Sequence, residues 1–365
     1  MIKKLPVYVN AIIDSECWTY YKMAIIQTSN HSSAWLAANM EVFFVEHCIS
    51  VLFGSDGRIY NLDNFNDILN FEEIDLKAVS NNIIKMLINE INKNNYIIMD
   101  CDFSILQQWG DDEFFLHETL FYGYDDHKGI IFSLLLNEGK FREVEISYKD
   151  IEKSYEKILN YYNRKPTHAI DRRNSFYIIT RVSLKNTYSE DNCIFNMLQK
   201  LKREIDGSLV LRNIFDNSGN DFIFDSYYTG TACLLGMKKA LENNFNDQIG
   251  NFHEKLKGIA KEFRKLLEHR NIIFNSMEWV IINLQTDNED LIEAKNEYYV
   301  CYKEMKKIWA LVTKAGITND IDIVVRVENY LLKLYFKERE TLEKFEKTAY
   351  YIYSENKRYL VQESK

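Results

Sequence analysis

The spacing of apolar positions changes part-way along the chain. Between residues 96 and 146 they come in short runs: Tyr96-Ile97-Ile98-Met99, then His117 to Tyr124, Gly129 to Leu136 and Phe141 to Ile146. Asp125-Asp126-His127-Lys128-Gly129 and Asn137-Glu138-Gly139-Lys140 put turn residues between the last three. This pattern predicts an antiparallel meander. Further on, the period becomes three to four. Ile194, Leu198, Leu201 and Ile205 form one stripe, and Phe252, Leu256, Ile259, Phe263 and Leu266 a second. Tyr298, Tyr302, Met305, Trp309 and Val312 form a third, followed by Val327, Leu331, Leu334, Leu342 and Phe345. Each stripe gives a helix one buried face, and together they predict a bundle of four or five helices.

Ahead of the meander the pattern is mixed. A helix is expected from about Glu16 to Thr28, capped by Asp14 or Ser15. A second is expected from Asp75 to Asn92, where Leu76, Val79, Ile83, Leu87 and Ile91 recur at helical spacing. The run Val42 to Val51 is open between strand and buried helix. Lys149 to Tyr162 reads as helix, and Phe176 to Val182 as one more strand completing the first sheet. Between them, Asn163 to Asn174 holds Pro166 among basic residues and reads as a linker. The expected fold class is therefore α+β. Residues 1–165 form a domain with an antiparallel sheet, and residues 166–365 an all-α helical bundle.

Composition narrows the function. With 365 residues, 46% hydrophobic and 14% aromatic, the chain can bury a sizeable core. A net charge of -9 is the wrong sign for wholesale contact with phosphate backbones, so nucleic acid is not an expected partner. Asn10, Asp14 and Glu16 interrupt the amino-terminal stretch, and no segment is long and apolar enough to span a bilayer. A cytoplasmic protein with reduced thiols, and no membrane partner, is expected. The six cysteines (Cys17, Cys48, Cys101, Cys193, Cys233 and Cys301) are scattered. His47-Cys48 are adjacent and diverge on any regular element, so neither metal nor cofactor is expected. Gly54-Ser55-Asp56-Gly57 reads as a plain turn. Lys255, Lys257, Lys261, Arg264, Lys265 and Arg270 make one helix locally basic, either a solvated face or a dock for an acidic partner.

Two stretches carry chemistry. Cys17 stands where a helix amino terminus is expected, which favours a thiolate, as does a neighbouring imidazolium. Trp18 follows and can shield such a pair from water, and Asn10, seven residues upstream, can offer an amide to an oxyanion. One hundred residues on, His117 opens the strand Leu120-Phe121-Tyr122-Gly123-Tyr124, which ends in Asp125-Asp126. Five other cysteines read as packing, since free cysteine is among the most buried residue types.

A cysteine at a helix start, followed by a histidine opening a strand that ends in Gly-Tyr-Asp, resembles papain-like cysteine enzymes. The order Tyr96 to Asp102, then His117-Glu118-Thr119-Leu120-Phe121-Tyr122-Gly123-Tyr124-Asp125-Asp126, then Ile146 to Ile151, is similar to the butirosin-biosynthesis protein H family. It also resembles transacylating papain-like enzymes of thiotemplated peptide assembly. The resemblance covers roughly residues 8–160. It implies a papain-like first domain with Cys17 as nucleophile and His117 as base. It also implies amide formation, moving an acyl group from the phosphopantetheine arm of a carrier protein to a small amine, with no resident cofactor. A peptidase or amidohydrolase, and a non-catalytic pathway scaffold, are the alternatives. Peptidases of this type orient the histidine with Asp or Asn about sixteen residues on, and that offset lands on Ser133. The orienting residue is left among Asp102, Asn137 and Ser133, with Asp102 preferred because a carboxylate fixes the tautomer. The helical domain is then expected to serve as lid, acceptor pocket or carrier dock.

Overall fold

A computed structural model describes residues 1–46, 49–55, 58–59, 65–75, 79, 82–106, 114–137, 139–163, 178–210, 214–215, 221–222, 227–246, 252–318 and 320–363. The chain divides into two compact units. The first comprises residues 1–32 and 65–188, the second residues 33–64 and 189–365.

The first unit is built on an antiparallel sheet. In chain order its strands are β1 (Ile2–Lys4), β5 (Leu69–Asp75), β6 (Tyr96–Asp102), β7 (Leu116–Asp125), β8 (Ile130–Asn137), β9 (Lys140–Ser147) and β10 (Ile178–Leu184). Across the sheet the order is β5-β10-β6-β7-β8-β9, with β1 on the far end of β7. Strand β7 holds the centre. It pairs with β6 through its first half, Cys101 opposite His117 and Ile97 opposite Phe121. It pairs with β1 through its second half, Lys4 opposite Gly123. A bulge between Phe121 and Gly123 offsets its pairing with β8.

Helices cover the sheet. In α1 (Cys17–Ile26) every residue from Thr19 to Ile26 is buried, so the helix packs all round rather than along one stripe. Its Tyr20 ring stacks on Phe141 of β9 at 3.6 Å. In α3 (Ile83–Asn92), Ile83, Ile84, Leu87 and Ile91 are buried, and the Asn82 side chain caps the start by accepting from Lys85 N at 2.8 Å. Helix α4 (Tyr148–Asn163) lies against β6, where Ser154 Oγ accepts from the Asp102 amide at 2.8 Å.

The second unit is helical with a small sheet. Helices α5 (Cys193–Ile205), α6 (Cys233–Asn246), α7 (Phe252–Asn283), α8 (Glu289–Thr318) and α9 (Ile321–Glu363) pack with α2 (Ser32–Asn39). Its larger sheet runs β11 (Leu209–Val210), β14 (Tyr227–Thr229), β2 (Glu41–Val45), β3 (Ser50–Ser55) and β4 (Arg58–Ile59). Two short strands, β12 (Ile214–Phe215) and β13 (Asp221–Phe222), pair separately. Within the bundle, Arg270 and Glu338, both almost fully buried, lie 3.2 Å apart, and Tyr298 donates to the same carboxylate at 2.9 Å.

The α+β class, the meander and the carboxy-terminal helices appear as expected. Three particulars differ. The division does not fall at residue 165, because β10 returns to the first sheet between β5 and β6. The second unit is not all-α, because Phe43 to Val45 of the buried run Glu41 to Val45 pair with Tyr227 to Thr229. The helix over 75–92 begins at Ile83, and Asp75 ends a strand instead. The Val42 to Val51 run resolves into β2 and the start of β3. His47, Cys48, Asp56, Gly57 and residues 164–174 lie outside the described residues. Among the described residues no helix is long and apolar enough to cross a membrane.

At Gly123 a Cβ atom would stand 2.7 Å from the Lys3 carbonyl oxygen and 3.0 Å from Lys4 Cα. Both are backbone atoms that cannot swing aside. Gly123→Val is expected to detach β1 and lower stability by about 1–3 kcal/mol in urea unfolding; an unchanged midpoint would contradict this packing.

Candidate active site

Helix α1 starts at Cys17. Glu16 precedes it in an extended conformation and makes no capping bond to the helix, and Thr19 instead donates to the Glu16 carboxylate at 2.8 Å. The expected cap by Asp14 or Ser15 is therefore corrected to Glu16 at that position. The thiol of Cys17 thus sits on the first turn, half-buried. From β7, His117 Nε2 reaches to 3.4 Å from Cys17 Sγ. The two residues singled out in the sequence share one site.

The hydrogen bonds of His117 decide its tautomer. Nδ1 lies 3.1 Å from the Glu118 carbonyl oxygen. A carbonyl only accepts, so Nδ1 carries the proton and Nε2 is left as acceptor for the Cys17 S–H. The same Glu118 carbonyl accepts from Tyr21 Oη at 2.7 Å. Tyr21 is one helical turn after Cys17, so this bond also ties α1 to β7. Phe103 packs at 5.0 Å from the imidazole, centroid to centroid, and Phe115 at 6.1 Å. They provide the aromatic surround expected of Trp18, whose side chain lies outside the described residues.

The expectation that Asp102 orients His117 is corrected. One Asp102 oxygen accepts from Ser104 Oγ at 2.8 Å, Ser104 N at 3.1 Å and Phe115 N at 3.2 Å. Lys157 Nζ lies 2.6 Å from the other. Asp102 is a strand-end staple, and its neighbour Cys101 stands opposite the histidine. Ser133 also has another task, donating to the Val144 carbonyl at 2.9 Å across the β8–β9 ladder. Asn137 ends β8 opposite Lys140. Asn10 lies exposed in a turn. Around it the chain is fastened to α1 by Tyr8 N to Ala24 O at 2.9 Å, Tyr20 Oη to Val9 O at 2.7 Å and Ile12 N to Gln27 Oε1 at 2.8 Å.

Electrostatics here depart from the thiolate expected at a helix start. Burial, then the Glu118 and Glu16 carboxylates, push the Cys17 thiol up to about 12. Burial and Glu118 push Asp100, opposite Glu118 on the ladder, up to about 7. Lys22 is 4% exposed, and burial pulls it down to about 8 against the opposing pull of Glu118 and Glu16. The sulfur thus keeps its proton at rest, and the buried Lys22 amine sits in the field of the same two carboxylates. Sequence reading missed Tyr21, Lys22, Phe103 and Glu118. Of these, Tyr21 was accessible in principle, at i+4 from Cys17 on a helix.

Among the described residues no group of three or more His, Cys, Asp or Glu side chains could hold a metal ion. The basic run on α7 is not a continuous charged face. Arg264 pairs with Glu268 at 3.3 Å, Lys265 with Glu262 at 3.1 Å, and Arg270 is buried on Glu338. No family model and no curated protein matches the chain.

Because the Cys17 thiol is held up, its alkylation by iodoacetamide should be slow at pH 7 and climb steadily through pH 9. Glu118→Gln removes one opposing charge and should speed the reaction at pH 7 several-fold. A rate already on a plateau below pH 6 would show a preformed ion pair instead.

Asp102 titrates in the opposite sense, because burial is outweighed by Lys157, Ser104 and the Phe115 amide, which hold it below the usual range. Its contribution to stability is full above the unfolded value of about 3.9 and is lost as pH falls through the lower folded value. Lys157→Ala should therefore destabilise the protein at pH 7, with the gap to wild type narrowing below about pH 4. A gap independent of pH in thermal melts would exclude the ion pair as its source.

Proposed function

We propose that the chain is a cysteine-dependent acyltransferase with a papain-like first domain. The distance of 3.4 Å between Cys17 Sγ and His117 Nε2 carries this reading. The ring tautomer supports it, since Nε2 is the lone-pair nitrogen and faces the thiol. The donor class, an acyl thioester on a carrier protein's phosphopantetheine arm, and the amine acceptor follow from the resemblance drawn in the sequence.

In the first half-reaction Cys17 Sγ attacks the thioester carbonyl as His117 Nε2 takes the S–H proton. With the thiol held up to about 12, proton removal accompanies attack rather than preceding it. The Glu118 carbonyl keeps the ring oriented as the imidazolium forms. An amide donor such as Asn10 suits the developing oxyanion. Collapse expels the pantetheine sulfur, which takes the proton back from Nε2, and leaves the acyl group on Cys17. In the second half-reaction the amine attacks that thioester and gives its proton to Nε2. The carbon–sulfur bond breaks, an amide leaves, and Cys17 recovers its proton. Hydrolysis competes at the acyl-enzyme, so Phe103 and Phe115 beside the imidazole matter for keeping water away.

Incubation with a short acyl thioester of N-acetylcysteamine, followed by intact mass measurement, tests the proposal. The expected result is one acyl adduct, absent in Cys17→Ala and formed about 10²–10⁴-fold more slowly in His117→Ala. Added amine should release it as amide. Release only as free acid would favour an amidohydrolase, and an adduct that persists in Cys17→Ala would rule out this nucleophile.

A further inference from the structure

In the helical unit α8 and α9 run antiparallel, and the outward side of their seam is laced by ion pairs. Lys344 of α9 reaches Glu293 at 2.6 Å and Glu297 at 4.0 Å on α8. Seven residues back on α9 and seven forward from Glu297 on α8, Lys337 reaches Glu304 at 3.1 Å. One turn further the pattern breaks. Lys333 comes four residues before Lys337, and Lys307 three residues after Glu304. A lysine meets a lysine where the ladder calls for a carboxylate. Among the described residues neither has an acidic partner.

A pocket of about 390 Å³ opens at that step, lined by Lys307, Lys333 and Lys337. Its one carboxylate, Glu304, is already committed to Lys337. The apolar part comes from Ile308 and Leu311 of α8 and from the half-exposed Tyr330 of α9. Like charges at neighbouring helical positions repel unless a counter-charge lies between them. The volume is in the range of small-molecule sites, about 300–1,000 Å³, where an apolar lining carries a few convergent polar groups.

We infer that this pocket binds a small organic anion with an apolar body: an aryl or acyl carboxylate, sulfonate or phosphate. Its oxygens bridge the Lys307 and Lys333 ammonium groups, and its hydrocarbon part lies on Ile308, Leu311 and the Tyr330 ring. Lysine suits this task, because its three rotatable donors accept any oxyanion geometry. The opposite end of α8 gives the contrast. There a surface hollow combines Ile292 and Val300 with Glu289, Glu293 and Glu297, a lining of the wrong sign for an anion. The site does not depend on the Cys17 chemistry.

Isothermal titration of the full chain with naphthalene-2-sulfonate at low ionic strength tests the assignment. One saturable site is expected, with inorganic sulfate at least tenfold weaker because it lacks the apolar body. Lys333→Glu restores the ion-pair ladder with Lys307. It should raise the melting temperature by roughly 1–3 °C while weakening the arenesulfonate at least tenfold. Lys307→Gln, which removes a charge without reversing it, should weaken binding severalfold with the fold intact by circular dichroism. The assignment is overturned if wild type shows no saturable binding, if sulfate binds as tightly as the arenesulfonate, or if folded Lys307→Gln retains wild-type affinity.

Discussion

The hydrogen bond from Tyr21 Oη to the Glu118 carbonyl, 2.7 Å long, is the contact on which the geometry of the site depends. It fixes how closely α1 approaches β7, and therefore how far the Cys17 sulfur stands from the His117 ring. The same carbonyl receives the Nδ1 proton at 3.1 Å. One oxygen thus sets both the position of the helix that carries Cys17 and the tautomer of the His117 ring. A backbone carbonyl orients an imidazole, as a carboxylate does, but less strongly and without a full negative charge.

Those carboxylates act in two directions. Glu16 and Glu118 disfavour a thiolate at Cys17, yet they favour the ammonium of Lys22, which would otherwise be costly to bury. Asp100, facing Glu118 on the ladder, is the group that gives way, with its carboxyl held up to about 7. The result is a partly buried set of ionisable groups whose net charge is moderated by one buried lysine and one easily protonated buried aspartate. Cysteine sites that rest as ion pairs have the opposite arrangement, with cations crowding the sulfur. Here burial and the carboxylates keep the proton on sulfur.

The helical unit solves a related problem differently. Arg270, Tyr298 and Glu338 come from α7, α8 and α9 and meet inside the bundle, while Glu204 of α5 faces His269 of α7 at 3.1 Å. Breaking a buried pair of this kind is far more costly than never having had it. Such groups tie one turn of each helix to the same level. On the outside, exposed pairs form the α8–α9 ladder, which among the described residues stops before Lys307 and Lys333, beside a pocket.

Period and turn chemistry were enough to read the meander and the long carboxy-terminal helices, and to single out Cys17 and His117, from the chain alone. These are local properties: alternation marks a strand, a three-to-four repeat marks a helix, and a cysteine or histidine declares its own chemistry. Strand β14 escaped, and β2 stayed open between strand and buried helix, because their pairing joins distant residues, as Phe43 with Thr229. The role of Asp102 escaped for the same reason. A carboxylate at the end of a strand has several reachable donors, and only the packing of α4 against β6 brings Lys157 to it. The electrostatic state of Cys17 was the least legible of all. Its helix position argues for a thiolate, but burial and two carboxylates, one of them a hundred residues distant, outweigh that preference once the chain is folded.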